Sequence, residues 1–155
     1  MPNPFLLENT LTGTHFSVCG PWSPGRMYEA CNEHGQLISP HVTMTYIQSY
    51  DGHEGSMLYG ELAPILSAMH SRANQPDVRE DEMEELFKPT CQARPKGKLL
   101  FPGEKKFPVL MLSFVGPQHG RIFYACLDGG HLVIRQSKLY SFECKADAPI
   151  ETFVR

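Results

Sequence analysis

Residues 108–135 read PVLMLSFVGPQHGRIFYACLDGGHLVIR, which is three short apolar runs separated by glycine-containing turns. Such runs, rich in β-branched and aromatic residues and bounded by Gly or Pro, predict β-strands. The GP dipeptide at 116–117 ends the first run because proline cannot donate a hydrogen bond to a strand ladder. The DGG tripeptide at 128–130 predicts a hairpin, since its residues accept positive φ. With a further short strand predicted at 139–143, this half of the chain indicates an antiparallel sheet.

The same pattern occurs a second time near the N-terminus. Residues 16–38, FSVCGPWSPGRMYEACNEHGQLI, align with LSFVGPQHGRIFYACLDGGHLVI at 112–134 when one residue is skipped. Nine positions are then identical over about 23, and one of these pairs is Arg26 with Arg121. The match favours an internal duplication with copies at about 14–47 and 108–144. Convergence on hairpin chemistry is the alternative, because Gly and Pro supply four of the nine identities.

A helical insert is predicted between the copies, at about 58–88. Apolar residues fall at i, i+4, i+7, i+8 and i+11, which is one face of a helix; they are Leu58, Leu62, Ile65, Leu66 and Met69. Proline is tolerated in the first turn only, so Pro64 predicts a start near Gly60 or Glu61. A second helix is predicted from Asp77, which has capping-box spacing to Glu80. It ends before Pro89, and residues 89–106 are predicted to be a loop.

These elements predict one α+β domain over residues 1–155, a length that suits one ordinary domain. The expected architecture is an antiparallel sheet or barrel-like layer. It is built from two repeated hairpin units, with the two helices inserted between them. A duplicated unit leaves a seam between its copies, and a ligand pocket is expected there if the chain has one.

Composition limits the classes of function. The net charge of −3 argues against a dedicated nucleic-acid binder, and no apolar run has the roughly 18 residues of a membrane span. The start of the chain lacks a basic leader and a long apolar run, so no signal peptide is predicted. Five cysteines without a Cys-x-x-Cys pair indicate reduced thiols and an intracellular location, cytoplasmic or nuclear.

Charge is divided unevenly along the chain. Residues 1–88 contain 4 Lys/Arg against 12 Asp/Glu, which gives −8, and residues 89–155 contain 10 against 5, which gives +5. A solvated acidic helix beside a basic loop accounts for much of this division. The alternative is head-to-tail self-association, in which the acidic half of one copy meets the basic half of another.

The candidate ligand-binding residues come from the repeat. If Arg26 and Arg121 occupy equivalent positions, symmetry allows them to meet at the seam and bind an anion between them. Aromatic neighbours Tyr28, Phe123 and Tyr124 would line the same pocket. The alternative is that each arginine satisfies carbonyls or an acid at its own turn. No catalytic residue, metal site or cofactor is predicted, and the glycine-rich loops match no phosphate-binding motif.

Three weaker sequence patterns are typical of catalytic or metal sites. Glu143 and Lys145, with Asp128 upstream, have the acid-x-lysine spacing of restriction-type nucleases, but that spacing is common by chance. A metal site is conceivable only if loop residues of the first copy converge; they are His34, His41, His53 and Glu54. A Cys/His nucleophile would pair Cys31 or Cys126 with His34 or His119, but burial within strands would make both thiols inert.

Residues 108–142 resemble stretches of short uncharacterised fungal proteins, a resemblance that implies a eukaryotic, intracellular setting and no chemistry. The expected function is a non-catalytic binding or protein-interaction domain that self-associates. Its central strands are apolar on both faces, and two short helices do not cover them. The alternative is a small enzyme or ligand-binding protein that uses the pocket at the seam.

Overall fold

The computed structural model describes residues 22–78 and 98–154, and in the first strand it describes side chains from residue 26 onward. The elements follow one another in the order β1 Trp22–Cys31, β2 Leu37–Asp51, α1 Tyr59–Ala73, β3 Val109–Gly116, β4 His119–Asp128, β5 His131–Gln136, β6 Tyr140–Ser141 and α2 Ile150–Val154.

The strands form one open, mixed sheet in the order β1-β2-β3-β4-β5, and β6 also pairs with β4. The pair β2–β3 is parallel, and the other pairs are antiparallel. The predictions of a wholly antiparallel sheet and of a barrel-like closure were therefore wrong. The physical reason is the insert: a chain that leaves β2, forms α1 and returns to the sheet has made a crossover long enough for parallel pairing. The fold is α+β and mostly sheet.

Helix α1 covers one face of this sheet. Alternate residues of β2, β3 and β4 point toward the helix and are buried, as expected for strands with a period of two. The core cluster on this side consists of Val42, Met44, Tyr46, Val109, Met111, Phe123 and Ala125 from the strands, with Ile65, Ala68 and Met69 from α1. The sheet therefore has its hydrophobic core on one side.

The prediction of a helix near residues 58–69 is confirmed, with different ends. α1 begins at Tyr59 and continues to Ala73, so Pro64 is its sixth residue and lies beyond the first turn. The Leu58 N–H at the helix start donates to the Glu61 carboxylate at 2.8 Å. The second predicted helix lies almost wholly outside the described residues. The short helix α2 was not predicted.

The structure does not show two equivalent hairpin units. The two hairpins β1–β2 and β4–β5 do turn alike, with Gly35 at φ 76° and Gly130 at φ 82°. However, Trp22, Ser23 and Pro24 pair with β2, whereas Gln118, one of the two residues aligned with this stretch, lies in the turn between β3 and β4. β1 is also an edge strand, while β4 is central. No helix among the described residues is long and apolar enough to cross a membrane.

An aromatic cluster from the C-terminal segment covers one end of the sheet face opposite α1. The Phe153 ring lies 5.7 Å from Phe114, 5.0 Å from Phe142 and 5.6 Å from Tyr140, measured between ring centroids. Two of the rings pack against Gly120 in β4, where a Cβ atom would lie 2.9 Å from Phe142 and 3.3 Å from Phe153. We call these four rings the aromatic cluster.

Replacing Gly120 by alanine is expected to lower the free energy of unfolding by about 1–3 kcal/mol, because the added methyl group displaces two packed rings. Gly103→Ala is the matched control, since a Cβ there meets no atom within 4 Å. Urea titration followed by circular dichroism measures both. Equal changes in the free energy of unfolding for the two substitutions would contradict the packing of the aromatic cluster against Gly120.

Candidate functional site

The face of the sheet opposite α1, here called the open face, has a row of side chains that crosses five strands. Strand register places Tyr28, Thr43, Leu110, Tyr124 and Arg135 side by side, one each from β1 to β5. We call these five residues the open row. The tyrosines are 53% and 43% exposed and the leucine 36%. Leu110 and Tyr124 lie on central strands, and Tyr28 lies on the edge strand β1.

The rest of the open face is partly covered and contains both apolar and polar residues, such as Thr45 beside Leu112. Leu112 and Ile122, which pair in β3 and β4, are half-buried, and Ile47 is 55% exposed. Phe114, which belongs to the aromatic cluster, packs against Phe142 and Phe153. The open row therefore lies on the uncovered part of a partly apolar surface whose far end the chain itself covers. A contiguous exposed apolar surface on a sheet is typical of a site of protein contact.

The opposite face contains a buried ionic network centred on Glu61, in the first turn of α1. Its Oε1 atom accepts hydrogen bonds from Ser113 Oγ at 2.7 Å and Arg121 Nε at 2.9 Å. Its Oε2 atom accepts from Arg121 Nη2 at 2.5 Å and from the Leu58 N–H. Glu61, Ser113 and Arg121 are all 0% exposed. Every acceptor of the carboxylate is thus engaged within the fold.

Arg121 uses its remaining donors on the loop that precedes α1. Its Nη1 atom donates to the carbonyl oxygens of His53 at 3.0 Å and Ser56 at 2.6 Å. The guanidinium also lies over the Phe123 ring, 5.2 Å from its centroid. The bidentate pair with Glu61 is the strong geometry for a guanidinium and a carboxylate. Arg121 therefore fixes the loop and the start of α1 against β3 and β4.

The structure separates the five predicted site residues. Arg26 is exposed in β1 beside a bulge, and its N–H donates to Thr45 Oγ1 at 2.7 Å. β1 and β4 are separated by β2 and β3, which places Arg26 and Arg121 about 14 Å apart at the backbone. Phe123 lies with Arg121 on the α1 side, while Tyr28 and Tyr124 lie on the open face. The structure brings Arg121 and Phe123 together and does not bring Arg26 to them.

A cleft of about 530 Å³ lies at the seam between the two sequence copies, where the parallel strands β2 and β3 end. The register shifts there between Ile47 and Asp51, and pairing resumes at Asp51 with Gly116. None of the five predicted residues lines the cleft. Its lining includes Gln48, Asp51, Phe114, Pro117, His119 and Phe142. The carboxyl ends of neighbouring parallel strands are a common place for ligands in open sheets.

A second buried ion pair joins the end of α1 to β1. Arg72 donates to Glu29 Oε1 at 2.5 Å and to Gln75 Oε1 at 2.7 Å. Burial lowers the pKa of Arg72, and the Glu29 charge opposes that effect. Neither Glu61 nor Arg72 was predicted to take part in an ion pair. Helical spacing could have predicted that both side chains face the core. Glu61 lies four residues before the core residue Ile65 and Arg72 lies seven residues after it, so all three are on one face of the helix.

The weaker chemical patterns are dispersed. Asp128 and Glu143 adjoin opposite ends of β4, about 30 Å apart, and Asp128 pairs with Lys106 at 3.2 Å. His34 and His53 lie beyond opposite ends of β2. Within the described part of the chain no group of three or more His, Cys, Asp or Glu side chains is placed to hold a metal ion. Cys126 is half-buried and lies seven residues from His119 on the same strand.

Tyr46 is a buried residue of β2 and lies opposite Ser113 of the Glu61 network. Its hydroxyl group has no hydrogen-bond partner among the described residues. Burial raises the pKa of its hydroxyl to about 12. Because the folded-state pKa lies above the unfolded value near 10, the stability from the neutral hydroxyl is complete below pH 10. It is lost as the pH rises from 10 to 12.

Tyr46→Phe is therefore expected to be as stable as the wild type at pH 7, since it removes an unpartnered hydroxyl. Between pH 10 and 12 it should become more stable than the wild type, by up to roughly 3 kcal/mol. Urea titrations at pH 7, 10 and 11.5 measure the difference. A difference that does not change with pH would contradict the burial of an unpartnered hydroxyl.

Comparison with protein-family models, with curated proteins and with solved structures finds no match to the chain.

Proposed function

We propose that this protein is a non-catalytic protein-interaction domain that self-associates through the open row. The observation that carries this proposal is the exposure of Tyr28, Leu110 and Tyr124 in one row across the open face. Two sheets that pack face to face lie about 10 Å apart, with apolar side chains between them. The open face offers one half of such an arrangement.

Covering this face would remove apolar surface from water, which favours association. A buried aromatic side chain contributes 150–250 Å² of contact surface, and apolar burial is favourable by roughly 25 cal/mol per Å². Tyrosine suits such a surface because its ring is apolar and its hydroxyl remains compatible with water while the surface is uncovered. Within the open row the one charged residue is Arg135, which lies on β5. The exposed ion pair of Lys106 with Asp128 lies farther along β4 from Tyr124.

A second copy of the chain is the partner that the charge distribution favours. Of the described residues, 22–78 contain 2 Lys/Arg against 6 Asp/Glu, and 98–154 contain 7 against 5. The first range contributes β1 and β2 to the sheet, and the second contributes β3 to β5. Glu29 and Glu61 of the first range are buried in ion pairs with arginines, so its exposed acids are those at or beyond the ends of its elements: Glu33, Asp51, Glu54 and Asp77. A partner copy turned so that opposite sides meet gains electrostatic complementarity from this division.

The test is sedimentation velocity of the wild-type protein over a dilution series from millimolar to nanomolar concentration. The proposal predicts that the protein changes from a dimer to a monomer as it is diluted, and that no larger oligomer forms. A monomer at every concentration would contradict self-association. A dimer that persists unchanged after the open row is altered would contradict the assignment of this face.

Ligand binding in the seam cleft is a second candidate, favoured by the position of the cleft at the ends of the parallel strands. Gln48 lines it, is 5% exposed, and has an amide nitrogen without a partner among the described residues. Benzamide, which joins an aromatic ring to an amide, is a suitable probe. Backbone amide shift changes confined to residues 47–51 and 114–119 would support this candidate, and unchanged spectra would remove it.

A further inference from the structure

The open row is symmetric in its positions about Leu110. Thr43 and Tyr124 are one strand away from it on either side, and Tyr28 and Arg135 are two strands away. With strands about 4.8 Å apart, Tyr28 and Arg135 of one chain are about 19 Å from each other. These two side chains therefore cannot touch within a monomer.

Two kinds of two-fold axis can relate a pair of sheets packed face to face. An axis that runs across the strands places β1 over β1 of the other copy, so sides of like charge meet. An axis that runs along the strands reverses the strand order and places β1 over β5. Only the second arrangement brings the acidic side of one copy over the more basic side of the other.

We infer that the self-association proposed above, on which this inference rests, uses a two-fold axis along β3 that passes close to Leu110. Leu110 then meets Leu110 of the second copy, and Tyr28 of each copy lies against Arg135 of the other. A guanidinium over a tyrosine ring within about 6 Å is a favourable cation–π pair. A closed two-fold arrangement also explains why association would stop at a dimer.

Arg135 is available for this contact. Its side chain is exposed, and it has no hydrogen-bond or ion-pair partner among the described residues. In this respect it differs from Arg121, whose guanidinium is fully committed to Glu61 and to the loop before α1. Tyr28 is likewise more than half exposed, at 53%.

A double-mutant cycle on the dimer tests the inference. Tyr28→Ala and Arg135→Ala are each expected to raise the dimer dissociation constant by about fivefold to thirtyfold, since each removes the same two symmetry-related contacts. The double variant should be hardly weaker than either single variant, because the contact is already lost. Sedimentation equilibrium measures the four constants. The control cycle combines Arg135→Ala with Tyr59→Ala, where Tyr59 is a 60% exposed tyrosine at the start of α1.

The outcomes distinguish a wrong two-fold axis from a failure of self-association itself. Coupling between Tyr28 and Arg135, with additivity in the control cycle, supports the axis along β3. Additive effects of Tyr28 and Arg135 in an intact dimer overturn this axis and leave self-association standing. A wild type that stays monomeric overturns both. The unfolding free energies of the same variants should be additive in the monomer, because the two side chains are too far apart to interact there.

Discussion

Arg121→Met is expected to lower the free energy of unfolding by about 3–5 kcal/mol, the largest loss that we expect from any single substitution. It leaves the Glu61 carboxylate fully buried without its cation, and removing one partner of a buried pair has an effect of this size. It also releases the His53 and Ser56 carbonyl oxygens, so the loop before α1 loses its anchor. Urea unfolding at neutral pH measures the loss.

Two controls identify its cause. Arg26→Met makes the same change at the aligned arginine, which is exposed, and should alter stability by less than about 0.5 kcal/mol. Adding Glu61→Leu to Arg121→Met removes the uncompensated charge and should recover part of the loss. If the double variant is less stable than Arg121→Met by the full effect of Glu61→Leu alone, the two residues do not act as a buried pair.

Leu110→Asp is expected to raise the dimer dissociation constant by at least about 100-fold. The inferred axis places the two copies of this residue against each other, so the change removes an apolar contact and buries two like charges. The monomer should lose little stability, because Leu110 lies on the open face and is 36% exposed. Sedimentation equilibrium and urea titration measure the two effects separately.

Leu66→Asp is the matched control for this change. Leu66 is a leucine of similar exposure, 41%, on the outer side of α1, far from the open face. It should leave the dimer dissociation constant within about twofold, since that face has no role in the proposed contact. If Leu66→Asp disrupts the dimer and Leu110→Asp does not, the helix face and not the open face is the interface.

Much of the sheet could be predicted from local sequence. The apolar run at 108–115 and the DGG turn contain their own strand and hairpin signals, and they became β3 and the turn between β4 and β5. The apolar period of α1 was also sufficient to predict that helix, but Leu66, which was counted on its apolar face, lies on the exposed side. The parallel pairing of β2 with β3 was not predictable in the same way, because it depends on how the 57 residues 52–108 cross over and not on either strand.

The candidate surface was only partly predictable. The prediction that the central strands need more cover rested on their apolar residues, and Leu110 and Tyr124 are indeed exposed on the face that α1 leaves open. The roles of the two arginines were not predictable from their aligned sequences. Arg121 is buried because Glu61, 60 residues earlier in the chain, reaches it, while Arg26 lies in an edge strand without such a partner. Local similarity cannot report a long-range partner.

Hydroxyl-radical footprinting of the wild type, above and below the dimer dissociation constant, tests self-association through the open face most directly. Tyr28 and Tyr124 should become several-fold less reactive as the protein dimerises, because the second copy covers them. Tyr59 and Tyr50, which are 60% and 43% exposed outside the open row, should keep their reactivity. A dimer in which Tyr28 and Tyr124 react as fast as in the monomer would contradict the proposed interface.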